Sequence, residues 1–378
     1  MRGVPALADE THHLRQIRTL LEGRFERLDS LTTLPTYHAL VAALARALGA
    51  SSLDDLRLVT LLFSVATVVV FREAARAVAP RDADARALGL ALLPILFPFL
   101  FLLYTDVLAL LCVGASVLAC LRGAFLAAGL AATAAVAVRQ SHAVWLVMVW
   151  AMCAFEMGGA ALSWRFARRF LAATWTFAAG ALGFAAFVVW NGGVALGDRA
   201  MHPSAGVHVE NAYFALALFF LLHVPVCIAR ADAALGRLRS PWAVAGVALL
   251  ALLYLVAYDV DHPYNQPVYH GFLHNRLLHA FEATPAARAV FVAAAGFSAL
   301  LLAALPLGRP SFALLYPAAL ASLLPVWMVE PRYALVPLAL FQVFRAPFGA
   351  RIEGLLLALW AAASAYLLAG AVSGRLFP

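Results

Sequence analysis

Two adjacent acids near the start of the chain, Asp9 and Glu10, have the chemistry of a catalytic pair. On a helix, neighbouring side chains point about 100° apart, and on a strand they point to opposite faces, so the two carboxylates cannot close on one atom. The pair therefore favours one general base, which takes a proton from an attacking hydroxyl, and one orienting group. The alternative is a helix N-terminus, where the helix dipole favours acids.

Four polar motifs farther along the chain interrupt apolar runs. They are Tyr104-Thr105-Asp106, Arg139-Gln140-Ser141-His142, Asn191-Gly192-Gly193 with Gly197-Asp198-Arg199, and Glu330-Pro331-Arg332-Tyr333. Guanidinium groups pair well with phosphate oxygens, so each arginine in these motifs offers a candidate phosphate clamp. The alternatives are a snorkelling Arg139, a loop salt bridge at Asp198-Arg199, and an internal Glu330–Arg332 ion pair.

A fifth polar segment, residues 259–287, combines acids, histidines and aromatic residues. His270 and His274 stand four residues apart and could hold a metal on a helix, but no HExxH pattern surrounds them. A polar loop facing a sugar, which includes Tyr264, Tyr269 and Phe272, explains the composition better. We therefore predict no metal and no cofactor.

The amino-acid composition indicates that these motifs belong to a membrane protein. The chain has 378 residues, of which 64% are hydrophobic and 12% charged, and its mean hydropathy is +0.88. Such values are typical of a polytopic helical membrane protein. The net charge of +7 comes from arginines in short loops, which indicates membrane topology and not nucleic-acid binding. The four cysteines lie in apolar runs and have no metal-binding or disulfide spacing.

The hydrophobic pattern predicts an all-α fold with about twelve transmembrane helices. The candidate spans are 56–71, 88–104, 107–121, 124–138, 142–163, 170–190, 212–229, 242–258, 288–306, 311–328, 332–344 and 354–372. We divide the chain into an external catalytic loop, residues 1–55, and a transmembrane domain, residues 56–378. Within the loop, residues 11–29 predict an amphipathic helix on the membrane surface, and residues 37–48 predict a second juxtamembrane helix.

The distribution of arginines between the loops predicts how the chain is oriented across the membrane. Fourteen arginines fall on one side of the predicted spans and six on the other after residue 60, so the first side is assigned to the cytoplasm. This predicted cytoplasmic set consists of Arg72, Arg76, Arg81, Arg86, Arg122, Arg165, Arg168, Arg169, Arg230, Arg237, Arg239, Arg309, Arg345 and Arg351. The opposite set of loops contains all five polar segments, and parity places Asp9 and Glu10 there as well. We predict that these segments meet in one cavity on the extracytoplasmic face.

The motifs in order resemble a known family, the dolichyl-phosphate-glucose α-1,2-glucosyltransferases. The similar segments are Asp9-Glu10 with His13 and Gln16, Asp29, Thr32-Thr33-Leu34-Pro35, Arg57-Leu58-Val59, Leu62-Phe63-Ser64-Val65, the FLLYTD of residues 101–106, Arg139-Gln140 ahead of Trp145, VVWNGGVALGDRAMH at 188–202, and Glu330-Pro331-Arg332-Tyr333. The resemblance runs from residue 9 to about residue 345. The chain departs from the family pattern at Asn275-Arg276, which is followed by Leu277. In that family a transmembrane helix precedes the acid pair, so a preceding helix is expected.

The resemblance implies a GT-C glycosyltransferase that needs no metal or nucleotide sugar. It implies that Asp9 deprotonates the acceptor hydroxyl, that Glu10 assists or positions, and that the hydroxyl displaces the lipid phosphate with inversion. For the donor phosphate we predict Arg139, Arg199 and Arg332. For the substrate pocket we predict His13, Gln16, Tyr104, Asp106, Gln140, Asn191, Asp198, His202, His262, Arg276, Glu330 and Tyr333.

The partners expected from the resemblance are a polyprenyl- or dolichyl-phosphate sugar donor, a glycan or lipid-linked acceptor, and membrane lipid, with no nucleic acid. The sugar is expected to be a hexose, most simply glucose. Abundant Ala and Arg without Lys favours a bacterial inner membrane, and the endoplasmic reticulum membrane is the eukaryotic equivalent. The competing hypothesis is a non-catalytic lipid-sugar transporter or flippase, which typically shows repeated halves and charges near the membrane midplane.

Overall fold

The computed structural model describes residues 3–158, 163–202, 206–266 and 275–375. Within these ranges the ordered elements are α-helices and short 3-10 helices, with no β-strand. One isolated antiparallel bridge joins Leu307 and Arg345. The predicted all-α class is confirmed for the part of the chain that the structure describes.

The α-helices of the described residues are numbered in chain order. They are α1 (Glu10–Leu21), α2 (Thr36–Leu48), α3 (Leu53–Val78), α4 (Ala83–Ala91), α5 (Thr105–Leu121), α6 (Phe125–Val138), α7 (Ala143–Glu156), α8 (Trp164–Asn191), α9 (Glu210–Leu222), α10 (Val224–Ala229), α11 (Ala231–Gly236), α12 (Pro241–Ala257), α13 (Arg276–Glu282), α14 (Pro285–Ala304), α15 (Leu315–Leu323), α16 (Leu335–Phe344) and α17 (Ala350–Val372).

Four helices, α3, α8, α14 and α17, are long and apolar enough to cross a membrane. A fifth span is possible if the bent pair Ala231–Arg239 and Pro241–Ala257, which meet at 101°, counts as one crossing. The helix α3 shows how the sequence sets such a boundary. The Ser52 hydroxyl accepts a hydrogen bond from the backbone N–H of Asp55, whose carboxylate accepts one from the backbone N–H of Ser52, and this capping box starts the helix.

The predicted count of twelve spans is not confirmed. Residues 88–104 do not form one helix, because α4 ends at Ala91 and a proline-containing 3-10 helix, Phe97–Phe101, follows it. Residues 212–229 are divided between α9 and α10, where His223 leaves the helical conformation and Pro225 follows. Prolines and local 3-10 turns shorten several apolar runs below the length of about 20 residues needed for a crossing.

The segment before α3 folds against the helical bundle. Ile17 of α1 packs in one buried cluster with Tyr37 and Val41 of α2 and with Leu56 of α3. The second predicted juxtamembrane helix matches α2, whereas α1 ends at Leu21 and is shorter than the predicted 11–29. The division of the chain at residue 55 stays a prediction.

Several arginines of the predicted cytoplasmic set form ion pairs among the helix ends. Arg345 holds Glu353 through two hydrogen bonds of 2.6 and 2.7 Å, and Arg309 contacts Glu156 at 2.5 Å. None of these four residues lines the large cavity that contains Asp9. These two ion pairs therefore lie outside the wall of the cavity.

Candidate active site

One cavity of about 1390 Å³ collects polar residues from distant parts of the sequence. It is lined by the start of α1, the start of α5, the turn between α6 and α7, the segment after α8 and the 330–333 turn. Eleven predicted site residues line it, namely Asp9, His13, Asp106, Arg139, Gln140, Asp198, His202, Arg276, Glu330, Arg332 and Tyr333. The structure thus brings these eleven residues to one cavity, and their roles stay predictions.

Asp9 lies at the polar end of this cavity, at the N-terminus of α1. Its Oδ2 atom accepts a hydrogen bond of 3.0 Å from Nη1 of Arg332, which is 323 residues away in sequence. The side chain remains 41% exposed, and Oδ1 makes no hydrogen bond with the described residues. One carboxylate oxygen is therefore anchored and the other is available.

Arg332 also contacts Glu330, so it bridges two carboxylates. Nε of Arg332 donates to Oε2 of Glu330, and its guanidinium lies 5.9 Å from the centre of the Tyr333 ring. Burial raises the pKa of Glu330 to about 7 despite the nearby guanidinium of Arg332. Burial also opposes ionisation of Asp9, but Arg332, His13 and His12 together outweigh it, so the pKa of Asp9 is lowered. At neutral pH Asp9 is thus the more fully ionised acid of the two.

Glu10, the second acid of the pair, points away from the cavity and is fully buried. Its two oxygens accept hydrogen bonds from Nε and Nη2 of Arg57 at 2.9 and 2.6 Å. They also accept from the backbone N–H groups of Leu7 and Leu103, both at 3.0 Å. Glu10 therefore attaches the segment that carries Asp9 to α3 and to the residues just before α5.

The chain takes an unusual conformation immediately before the acid pair. Ala8 has a φ of 50°, in the left-handed region that costs an L-residue roughly 1–2 kcal/mol. Its carbonyl oxygen accepts hydrogen bonds from the backbone N–H and the hydroxyl of Thr11. This turn, together with the buried Glu10, fixes where α1 begins and hence where Asp9 lies.

Arg139 lies in the cavity wall directly after the end of α6. Its Nη1 atom donates to Oδ1 of Asp106 at the start of α5, and the pair is largely buried. Nε and Nη2 of Arg139 make no hydrogen bond with the described residues. The guanidinium therefore retains donors for an anion, which agrees better with a phosphate clamp than with a lipid-facing anchor.

Arg276 is another basic residue of the cavity wall. It starts α13, is exposed, and forms neither a side-chain hydrogen bond nor an ion pair with any described residue. Its neighbour Asn275 caps α13 and also donates to the carbonyl oxygen of Val329 at 3.2 Å, which brings α13 next to the 330–333 turn. The guanidinium of Arg276 near this turn could therefore bind an anionic ligand.

Arg199, a predicted phosphate ligand, does not line the cavity. Its guanidinium donates to the carbonyl and side-chain oxygens of Asn191 and to the carbonyl oxygen of Ala195. Asn191 in turn donates to the carbonyl oxygens of Gly193 and Ala195. The prediction for Arg199 and Asn191 is corrected, because both side chains are used in folding the loop that follows α8.

Gly197 of this loop lies against the backbone of the N-terminal segment. A Cβ at Gly197 would lie 2.0 Å from the carbonyl oxygen of Asp29 and 2.7 Å from that of Leu31. The N–H of Leu196 donates to the carbonyl oxygen of Thr32 at 3.0 Å. The loop backbone therefore approaches the N-terminal segment closely, where the sequence had suggested a close approach to a ligand. Of the Gly197-Asp198-Arg199 motif, Asp198 alone lines the cavity.

Three other predicted pocket residues support the cavity from outside its wall. Gln16 accepts from the N–H of Leu28 and donates to the carbonyl oxygen of Glu26, each at 2.8 Å. Tyr104 donates to the carbonyl oxygen of Leu7 at 3.3 Å. His262 is bound to the carbonyl oxygen of Met201 at 3.2 Å. We correct these assignments to supporting residues.

Sequence reasoning did not assign a role to Arg57, which anchors Glu10 behind the site, or to His142, which lines the cavity. Arg57 contributed only to the family resemblance, although a charge in an apolar span usually has a buried partner. His142 lines the cavity, and both of its ring nitrogens are buried without a hydrogen-bond partner in the described chain. Oδ2 of Asp106 is likewise unpartnered there. No periodic pattern in the sequence marks such positions.

The described residues contain no group of three His, Cys, Asp or Glu side chains that could hold a metal ion. The His270 and His274 pair, with Tyr269 and Phe272, lies outside the described residues.

The cavity continues from its polar end along an apolar wall. Leu359, Ala363, Tyr366 and Leu367 form one stripe of α17, and Phe184 of α8 contributes to the same wall. Tyr366 is 68% exposed on the outer surface of the bundle. The polar end is therefore connected to the surface of a helix apolar enough to lie in lipid.

Comparison with known proteins gives two matches. The model of the DIE2/ALG10 family matches residues 5–163 and 153–343. A protein of Arabidopsis thaliana named Dol-P-Glc:Glc(2)Man(9)GlcNAc(2)-PP-Dol alpha-1,2-glucosyltransferase is 30% identical over 161 residues, which cover 37% of this chain and 32% of that relative. The chain thus spans about a third of the relative's length in this match. No solved structure matches the chain.

Proposed function

Because the chain belongs to the DIE2/ALG10 family, we propose that it is a membrane glucosyltransferase that uses a polyprenyl or dolichyl phosphate as glucose carrier. The printed name of the Arabidopsis relative gives the same donor class and a lipid-linked oligosaccharide acceptor. We extend both to this chain as a proposal, with a lipid-linked or surface glycan as acceptor. The observation that carries it is the ion pair of Asp9 and Arg332 at the polar end of a cavity with an apolar arm.

Asp9 is the proposed general base. The acceptor hydroxyl approaches the free Oδ1 atom and transfers its proton to the carboxylate as its oxygen attacks the anomeric carbon. The bond from the anomeric carbon to the phosphate oxygen breaks in the same step, and its electron pair leaves with the polyprenyl phosphate. Attack from the face opposite the leaving phosphate inverts the anomeric configuration.

Arginines stabilise the leaving phosphate in this proposal. Arg332 holds the carboxylates of Asp9 and Glu330, Arg139 holds that of Asp106, and both guanidinium groups keep further N–H donors. Arg276 has no ionic partner among the described residues. Preorganised cations of this kind stabilise charge that develops in the transition state. Arg276 thereby takes the place that sequence reasoning gave to Arg199.

The apolar arm along α17 suits the carrier lipid. A polyprenyl chain has only hydrocarbon to bury, and the stripe from Leu359 to Leu367 provides an apolar wall that begins at the polar end. This arrangement would keep the phosphate at the arginines while the tail extends towards the bilayer. The extracytoplasmic position of the site and the host membrane, bacterial or endoplasmic reticulum, remain predictions.

A transfer assay tests the proposal. Full-length protein in detergent is given polyprenyl-phosphate glucose and a glycan acceptor, and the product is analysed for a new glycosidic bond and its anomeric configuration. We expect the products to be polyprenyl phosphate and a glucoside whose anomeric configuration is inverted relative to the sugar donor. Movement of a labelled lipid-sugar across vesicles without bond formation would favour the transporter hypothesis, and a retained configuration would exclude the one-step mechanism.

A further inference from the structure

The imidazole of His13 connects the buried interior of the N-terminal segment to the cavity. Its Nδ1 atom lies 2.9 Å from Nε2 of His38, a hydrogen-bonding distance. His13 lines the cavity, whereas His38 is fully buried and does not. One ring nitrogen of His13 is therefore used internally.

The orientation of the His13 ring is fixed by its neighbours. Tyr37 and Tyr104 meet it edge-on, with ring centres 6.0 and 5.4 Å away. Nε2 of His13 makes no hydrogen bond with the described residues and is not among their buried unpartnered atoms. This nitrogen is consequently the one available to a ligand in the cavity.

Both histidines are neutral near pH 7. Burial lowers the pKa of His13 to about 4 and holds the pKa of His38 well below its usual value. A neutral pair shares one N–H in the bond between the rings. The remaining question is which ring donates it.

The buried Nδ1 atom of His38 answers this question. It has no hydrogen-bond partner in the described part of the chain. A buried N–H group without an acceptor is rarer in proteins than a buried acceptor without a donor, so the proton of His38 belongs on Nε2. His38 therefore donates to His13, and His13 carries its own proton on Nε2, at the cavity.

Charged groups surround the His13 ring on the cavity side. The carboxylates of Asp9 and Asp106 and the guanidinium groups of Arg332 and Arg139 all act on it electrostatically. His13 also follows Asp9 by one turn of α1, and its backbone N–H donates to the carbonyl oxygen of Asp9 at 3.1 Å. The His13 ring and the Asp9 carboxylate therefore line the same charged part of the cavity.

We propose that His13 is a second catalytic residue, whose Nε2–H donates a hydrogen bond to the oxygen of the acceptor hydroxyl that Asp9 deprotonates. A hydroxyl donates one hydrogen bond and accepts others, so Asp9 and His13 can hold the same group without competing. His38 acts through His13 and is a positioning residue that fixes its tautomer. This inference rests on the proposed glucosyltransferase function.

Paired substitutions separate donation from packing. We expect His13→Phe to lower kcat by about 100-fold with the KM of the sugar donor unchanged, because it removes the hydrogen bond that orients the acceptor oxygen towards the anomeric carbon. His13→Gln, whose amide reaches about as far as Nε2, should recover part of that loss. His38→Leu should lower kcat about tenfold, whereas His38→Gln, which still donates to Nδ1, should retain wild-type kcat.

Arg18→Gln on the same helix is the control, because Arg18 is exposed and does not line the cavity. It should retain wild-type kcat. An unchanged kcat in His13→Phe, or equal losses in His38→Gln and His38→Leu, would overturn the proposal.

A spectroscopic measurement tests the tautomer without an assay. Nitrogen-15 NMR of histidine-labelled protein, assigned by the signals lost in His13→Gln, should show Nε2 of His13 protonated and Nδ1 unprotonated. Protonation on Nδ1 would overturn the proposal even in an active enzyme. Absence of glucosyl transfer by the wild type would instead reject the proposed function, so the two failures are distinguishable.

Discussion

At the scale of single residues, the acid pair divides its work because its members occupy different environments. Asp9 has one free oxygen in a cavity, and both oxygens of Glu10 are bound inside the protein. Sequence spacing predicted that two adjacent carboxylates would point apart. It did not show which carboxylate is buried in the protein and which faces the cavity. That depends on Arg57 and on the backbone N–H groups of Leu7 and Leu103, which bind Glu10.

The buried Glu10–Arg57 pair leads to a stability prediction. Glu10→Gln leaves the Arg57 guanidinium buried without its main counter-charge, which typically costs about 3–5 kcal/mol. We expect a clear fall in the thermal unfolding midpoint in detergent. Asp84→Asn, which removes an exposed Arg72 ion pair, is the matched control and should leave the midpoint nearly unchanged. Equal midpoints for the two variants would contradict the anchoring role.

Glu330 leads to a prediction about pH. Its pKa is raised to about 7 by burial, so between pH 4.5 and 7 the folded protein binds more protons at this site than the unfolded chain. This group therefore stabilises the fold less as pH rises through that window. We expect the thermal midpoint to fall more between pH 5 and 7.5 in the wild type than in Glu330→Gln. Parallel pH profiles would show that Glu330 titrates normally.

At the scale of elements, the loop after α8 is organised by packing against the N-terminal segment. Gly197→Ala would place a Cβ within 2.0 Å of the Asp29 carbonyl oxygen, so the two backbones must separate. We expect a lower thermal midpoint and faster proteolysis near residues 29 and 197. The control is Gly183→Ala in α8, where a Cβ meets no atom within 4 Å. A wild-type midpoint in Gly197→Ala would show that the contact is dispensable.

The same elements show what the sequence could predict. Long apolar runs, such as those of α3 and α17, were placed within several residues of their observed bounds. The run at 88–104 was interpreted as a span, although Pro94 and Pro98 interrupt it and a 3-10 helix results. Arg199 was misassigned because a glycine-rich loop can approach either a ligand or another backbone, and only the folded chain decides between them.

At the scale of the whole molecule, polar segments from residues 9 to 333 line one cavity, away from the arginine ion pairs at other helix ends. The distribution of arginines predicts that the cavity opens on the extracytoplasmic side. A single cysteine introduced as Asp29→Cys, at an exposed position of the cavity rim, should react with a membrane-impermeant maleimide in intact cells.

The matched variant Asp232→Cys changes an exposed residue of α11, close in sequence to Arg230, Arg237 and Arg239 of the predicted cytoplasmic set. It should react only after the membrane is made permeable. The reverse pattern would place the cavity in the cytoplasm and contradict the predicted topology. The four native cysteines are at most partly exposed. Their labelling is measured in the protein without an introduced cysteine and subtracted from that of each variant.

The central claim is that Asp9 takes the proton of the acceptor hydroxyl in this cavity, and the turnover number of Asp9→Asn tests it most directly. The amide keeps nearly the same shape and can still accept a hydrogen bond from Arg332, but it cannot serve as a base. With polyprenyl-phosphate glucose saturating, we expect kcat to fall at least about 100-fold, while Asp84→Asn retains wild-type kcat. Turnover of Asp9→Asn at the wild-type rate would contradict the account.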